Sequence, residues 1–296
     1  MIVEAARNGA THGKIQGLYS DELTFRQEFE ESNTRPGALV RPHQKEIERL
    51  KYLDLSPDDE EWFVSECKTA ALTPMITVFT HKGLDRAIAA GFKSFKIASY
   101  DCASRALIER IVPHADELVI STGATKWDEI TTTAELVQQN KKSETQVALL
   151  HAKTIYPTPI SRLNISRMFY LKYFGWEIGL SDHTQPEVDG LLASKAAIFM
   201  GAQYIERHFT ILDRDKTKDG PVSINPSELK ELYDFSLQSQ EFMHQELSAE
   251  LGQGRLLFEN PDLECDSDEI RNSTYFRGRV ASWREGKQIP SWDKWI

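Results

Sequence analysis

From residue 70 onward, short apolar runs alternate with longer stretches whose apolar positions recur at helical spacing, the pattern of βα units feeding a parallel sheet. The strands predicted are "GKIQGL" (13–18), "MITVF" (75–79), "SFKIAS" (94–99), "ELVIST" (117–122), "QVALLHA" (146–152), "EIGLSD" (177–182) and "YIERHF" (204–209). Between them helices are predicted over 82–90, ended by Gly91, over 126–140, and over 187–200, ended by Gly201. A strand-to-strand spacing of roughly 20 to 30 residues suits a (β/α)8 barrel. Each run ends on polar residues: Thr80, Ser99, Ser121, the "AKT" after His151, Ser181 with Asp182, and His208. In a barrel these ends share one face, so the repetition points to a single polar floor. A doubly wound sheet would instead carry a glycine-rich phosphate loop, and neither GxGxxG nor GxxxxGK[ST] occurs.

Upstream of residue 70, "IVEAARNGA" reads as the end of a helix with Gly9 as its cap. The strand total is then seven, and the expected fold is an α/β, TIM-type (β/α)8 barrel lacking its first strand, entered inside its first helix. Residues 20–70 form a long polar connection with a helix over 57–70, capped by Ser56 and started by Pro57. The barrel domain is assigned to residues 1–248, with a helix over 226–248. Residues 249–296 are a C-terminal extension, with loop at 252–269 and, within 274–296, one short strand and a tryptophan-rich tail.

Composition narrows the function. The 296 residues are 40% hydrophobic, enough for a sizeable core. No apolar run approaches the ~20 residues of a membrane helix, and the N-terminus lacks a signal-peptide pattern, so no membrane association and a cytoplasmic location are expected. A formal net charge of −10 argues against a nucleic-acid partner, and an anionic ligand would need a local basic pocket. Cys67, Cys102 and Cys265 are far apart and without CxxC spacing, which suggests neither disulfides nor a zinc cluster.

The chemistry-bearing residues cluster at strand ends. His183 and His208 terminate consecutive strands about 4.8 Å apart, so they either share a divalent ion or each cap a strand end by hydrogen bonding. Asp182 and Glu206 flank them, although alternation turns neighbouring residues to opposite sides. Lys96 lies within an apolar strand and needs a counter-ion if it faces inward. It reads as a Schiff-base amine, as an anion-holding cation, or as a lysine reaching outward between helices. Lys14 stands in the same relation to its strand. Two lysines with Ser99, Ser121, Thr154 and Ser181 suit a phosphate cradle better than an imine.

The stretches "KIASYD" (96–101), "ISTGAT" (120–125), "YPTP" (156–159), "IGLSDHT" (178–184), "GAQYIERHFT" (201–210) and "SINPSEL" (223–229) resemble, in order, the barrel of the sialic acid synthases and the related legionaminic, pseudaminic and spore-coat polysaccharide synthases. The resemblance covers roughly residues 1–235. It implies a metal-dependent condensation of phosphoenolpyruvate with the aldehyde of an N-acylated hexosamine, such as N-acetylmannosamine, giving a nonulosonic acid and phosphate. It implies that His183 and His208 bind a divalent metal ion, Mn2+ or Mg2+. It gives Lys14, Lys96, Ser99, Ser121, Thr154 and Ser181 to phosphoenolpyruvate, and Asp101, Tyr156, Glu206 and Asp219 to the sugar, metal and reacting water. A homodimer is the assembly it raises.

Departures accompany it. The family's first-strand Glu-Ile-Gly and Asn-His signature is not seen, and its antifreeze-like domain is expected to be absent. "FTHKG" (79–83) and "HAKTIYPTP" (151–159) depart from the usual spelling, which leaves the sugar open. Two other readings stand beside it: a non-catalytic sugar- or phosphate-binding relative, and a Schiff-base aldolase using Lys96.

Overall fold

The computed structural model describes residues 1–33, 39–251, 263–284 and 287–290. Strands β1 (His12–Gly17), β2 (Thr73–Val78), β3 (Ser94–Ile97), β4 (Glu117–Ser121), β5 (Gln146–Ala152), β6 (Glu177–Asp182) and β7 (Tyr204–Phe209) pair in chain order, all parallel. The two-residue β8 (Ser223–Ile224) pairs with the end of β7. The helices are α1 (Ile2–Arg7), α2 (His43–Lys51), α3 (Pro57–Thr69), α4 (His81–Ala89), α5 (Arg105–Ile111), α6 (Trp127–Asn140), α7 (Arg167–Tyr170), α8 (Pro186–Asp189), α9 (Leu192–Phe199), α10 (Pro226–Ser236), α11 (Gln240–Leu251) and α12 (Ser267–Phe276). A hairpin of β9 (Ala281–Arg284) and β10 (Lys287–Pro290) stands apart from the main sheet.

Side-chain contacts show that the sheet curls. In a flat sheet β1 and β7, six strands apart, would lie roughly 29 Å from each other. Here His12 Nε2, at the start of β1, lies 3.1 Å from Glu117 Oε2 on β4, and the Tyr204 hydroxyl on β7 donates to Glu117 Oε1 at 2.6 Å. Ser94 on β3 donates to the same carboxylate. Burial raises the Glu117 carboxyl, but the hydrogen bonds from His12, Ser94 and Tyr204 bring it down to about 2. Above this polar knot Met75, Val119, Ala148 and Leu150 form an apolar plug, and above the plug the lumen turns polar again. Outward residues such as Ile76, Phe95, Ile97, Leu118, Ile120, Leu149, Ile178 and Leu180 pack with the helices in the main core. The arrangement is a layered lumen inside a helical coat.

The helical coat runs on from the last unit to the first, because α1 rests against α10. Gly9 makes this approach close: at φ +94° it has no side chain, and a Cβ there would lie 2.2 Å from the Tyr233 ring.

Several expectations need correction. The helix expected at 187–200 is α8 and α9, interrupted at Gly190, whose φ of +60° and ψ of −139° suit only glycine. The helix expected at 226–248 is α10 and α11, broken at 237–239. The strand β8 adds an eighth to the seven expected, too short for any periodicity to reveal. Of the loop expected at 252–269, residues 252–262 lie outside the described residues, while Ser267 begins α12, capped by the Asp266 side chain. Residues 275–289 contribute to two strands, not one. The tryptophan-rich tail at 291–296 also lies outside the described residues. Among the described residues no helix is long and apolar enough to cross a membrane.

Candidate active site at the C-terminal ends of the strands

Period-two alternation places Lys14, Lys96, Ser121, Ser181 and Glu206 in the lumen above the apolar plug. Lys96 is 3% exposed, so it does not reach outward between helices. Its ammonium donates to Ser121 Oγ at 2.5 Å and to the Ile97 carbonyl at 3.0 Å, and lies 3.8 Å from Glu206 Oε2. Burial pushes its pKa down to about 8, against the opposing pull of Glu206. Lys14 Nζ donates to Thr77 Oγ1 at 3.3 Å. Glu206 accepts from Ser181 Oγ at 2.8 Å. Burial would raise its carboxyl, but Lys96, Lys14 and the Ser181 hydroxyl hold it down to about 2. Two cations thus face one carboxylate and three hydroxyls, leaving net positive charge for an anion.

The two imidazoles stand beside this group. Their ring centroids are 5.5 Å apart, and the Tyr156 hydroxyl lies 2.8 Å from His183 Nε2. Burial and then the neighbouring His208 push the His183 imidazole down to about 3, and burial lowers His208 as well. Both are therefore neutral at physiological pH, the state in which a histidine binds metal. Asp219 Oδ2 is 3.8 Å from His208 Nδ1.

The donor set suits the divalent ion that the resemblance implies. His183 Nδ1 is buried without a hydrogen-bond partner, and the imidazoles are neutral and adjacent, which suits a borderline cation. Among the described residues no group of three or more His, Cys, Asp or Glu side chains converges as metal ligands do. Two imidazoles are fewer than the three protein ligands usual in a catalytic centre, so an ion here would rely on water or substrate for its remaining positions. On donor chemistry the residues fit.

The residues between these inward groups point outward. Asp182, wholly buried, accepts from Thr184 N and Thr184 Oγ1 at 2.8 Å and from Ser194 Oγ at 2.5 Å, and pairs with Arg207 at 2.6 Å. It locks the turn that presents His183, as alternation predicted.

Not every expected residue joins the Lys96 group. Ser99 Oγ accepts from Gly123 N at 3.2 Å. Thr154 donates through N and Oγ1 to Glu269 Oε1, at 3.2 and 3.4 Å. Asp101 is buried, and burial raises its carboxyl to about 7 despite Arg279 and Arg277 nearby. Ser99 and Thr154 belong to a second network, centred on Glu269, that sequence reasoning missed. Glu269 is fully buried and pairs with Lys153 at 2.8 Å. The Phe276 ring of the same helix stacks on Tyr100, with centroids 4.6 Å apart. The capping signal "DSDE" (266–269) could have revealed α12, but not where it docks.

A family model described as the NeuB family matches residues 1–247. Over 193 residues the chain is 30% identical to the N,N'-diacetyllegionaminic acid synthase of Campylobacter jejuni, covering 64% of this chain and 56% of that one. It is 29% identical over 242 residues to the synthase of the same description from Legionella pneumophila, covering 78% and 64%. The chain thus spans less than two thirds of the length of these relatives. A pseudaminic acid synthase of Campylobacter jejuni is 24% identical over 285 residues, 95% of this chain and 76% of that one. Among solved structures, the N-acetylneuraminic acid synthetase of Leptospira borgpetersenii, in complex with citrate, superposes with a TM-score of 0.68 at 22% identity, covering 93% of this chain and 84% of that one. At that identity the likeness shows the fold.

Proposed function

The chain belongs to the NeuB family, and on that footing we propose that it condenses phosphoenolpyruvate with the open-chain aldehyde of an N-acylated hexosamine, giving a nonulosonic acid and inorganic phosphate. The observation that carries this reading is the lumen group itself: two ammonium groups, three hydroxyls and one carboxylate beside two neutral imidazoles. Lys14 and Lys96 bind the phosphate and carboxylate of phosphoenolpyruvate, with Ser121 and Ser181 completing the contacts. His183 and His208 hold the divalent ion, whose chemistry is Lewis-acid polarisation of the aldehyde oxygen. Tyr156 orients the His183 ring. C3 of phosphoenolpyruvate bonds to the aldehyde carbon, water adds at C2, and the C–O bond to phosphate breaks. Glu206 and Asp219 orient that water and take its proton, and Asp101, whose carboxyl burial raises to about 7 and which is therefore about half protonated at neutral pH, serves as a hydrogen-bond donor. The reaction belongs in the cytoplasm, where phosphoenolpyruvate is made.

The test is phosphate release from phosphoenolpyruvate with Mn2+ or Mg2+, across N-acetylmannosamine and diacetamido sugars. Release that depends on both sugar and metal is expected. A folded protein that releases none with any of them would favour the non-catalytic binding relative. The depressed pKa of Lys96 gives one reason to keep the aldolase reading. Borohydride with a 2-keto acid labels Lys96 only if that reading holds, and no label is expected, because the ammonium is already bonded to Ser121 and Ile97.

A further inference from the structure

We infer that Glu269 is the positioning residue of the anion cradle: its carboxylate holds the loops after β4 and β5 in the shape that phosphoenolpyruvate binding requires. The inference rests on the phosphoenolpyruvate reading above and concerns a residue outside the strands that carry the chemistry. Glu269 Oε1 accepts from the backbone amides of Ala124 and Thr154, both at 3.2 Å, and from Thr154 Oγ1 at 3.4 Å. Oε2 accepts from Lys153 Nζ at 2.8 Å and from Asp266 N at 3.2 Å, which ties the carboxylate to the first turn of α12. Among the described residues neither site amide has another acceptor.

What Glu269 holds is a strained loop. Ala124 sits at φ +49°, a left-handed conformation that alanine keeps only when its surroundings enforce it. Its amide is fixed by Glu269, and its carbonyl accepts from Arg277 NH2 at 3.2 Å. Arg277 is anchored in turn on Glu129, at 2.7 and 2.8 Å. One residue earlier, Gly123 donates to Ser99 Oγ, and a Cβ at 123 would meet Thr154 Cγ2 at 2.8 Å and Ser99 Oγ at 2.9 Å. Thr125 Oγ1 donates to the Ser99 carbonyl at 3.0 Å. Ser99, the 123–125 turn and Thr154 therefore form one packed unit directly beyond Ser121. Loosening Glu269 shifts all three together, and with them the chain that follows Ser121, whose hydroxyl the Lys96 ammonium bonds, whereas Lys96 and Ser181 keep their contacts with Glu206.

Phosphoenolpyruvate binding is measured on the full chain by titration calorimetry, with KM and kcat taken separately in the condensation assay. Glu269→Ala is expected to weaken phosphoenolpyruvate on the order of tenfold while kcat at saturation stays within about threefold. Glu269→Asp keeps a charge for Lys153 but withdraws the oxygen from the two amides, so it is the folded variant to use if alanine unfolds the protein, and the same weakening is expected. Adding Ala124→Gly to either variant should restore part of the affinity, because glycine holds the left-handed turn unaided. A buttress without a positioning role would lower the melting temperature and leave this affinity alone. Unchanged affinity in the folded variants overturns the inference and leaves the proposed function standing. An unaltered chain that neither binds phosphoenolpyruvate nor releases phosphate overturns both.

Discussion

Two buried lysine–glutamate pairs occupy the same face of the barrel and are built in opposite ways. Lys153 and Glu269 touch at 2.8 Å, with side chains 6% and 0% exposed, and both carboxylate oxygens carry further hydrogen bonds. Lys96 and Glu206 stand 3.8 Å apart, with Glu206 25% exposed. The first pair is closed, and every lone pair it offers is used within the protein. The second has a gap between its charges and a depressed lysine pKa. Desolvation makes an imperfectly matched buried pair costly, so its retention marks a place kept for a ligand, whereas the closed pair marks structure.

The largest expected effect breaks the closed pair. Glu269→Ala strands the Lys153 ammonium in the interior and should cost about 3–5 kcal/mol in denaturant unfolding. Lys96→Met relieves the desolvation of a buried ammonium while Glu206, a quarter exposed, keeps Ser181; the two effects offset, so the loss should be smaller than that at Glu269. Equal losses for the two variants would erase the contrast. In binding the order reverses: loss of a charge-assisted contact worth about 1.5–3 kcal/mol should weaken phosphoenolpyruvate at Lys96→Met by roughly 10- to 100-fold.

His208→Ala should abolish retention of a divalent ion, read by metal analysis after gel filtration, with unfolding free energy within about 1 kcal/mol of the parent because the side chain lies at the mouth. Global unfolding would assign His208 to the fold. The pH dependence sharpens the comparison further. Lys96 loses its proton near pH 8 in the folded chain and near its ordinary 10.5 when unfolded. Between these values the unfolded chain binds more protons, so this lysine makes stability rise with pH while phosphoenolpyruvate affinity falls. Opposite slopes above pH 8 in unfolding and titration experiments are the expected result, and parallel slopes would remove Lys96 from the cradle. A further effect is Ala124→Gly in the parent, where relief of about 1–2 kcal/mol of left-handed strain is offset by about 0.5–1 kcal/mol of backbone entropy, a net gain of under about 1.5 kcal/mol in denaturant unfolding.

The strands were legible because each is a short apolar run stopped by a polar residue; β5, β6 and β7 have the bounds that the sequence predicts. The outward turn of Asp182 and the inward turn of Glu206 follow from alternation alone. Helix breaks were harder to read. The periodicity of "VDGLLASKAAIFM" runs through Gly190, and only its backbone angles separate α8 from α9. Glu269 was out of reach for a different reason. Its partners lie 115 and 145 residues away in sequence, on loops whose approach depends on the barrel already being formed. Without those contacts, nothing in the sequence separates Ser99 and Thr154 from the hydroxyls beside Lys96.

The knot of His12, Ser94 and Tyr204 on Glu117 fastens four strands at their lower ends, leaving their upper ends to the loops. A funnel tied at its stem varies only at its rim. On the function proposed above, acceptors of different bulk would be admitted by reshaping the turn around Asp219, while the bore below keeps its calibre.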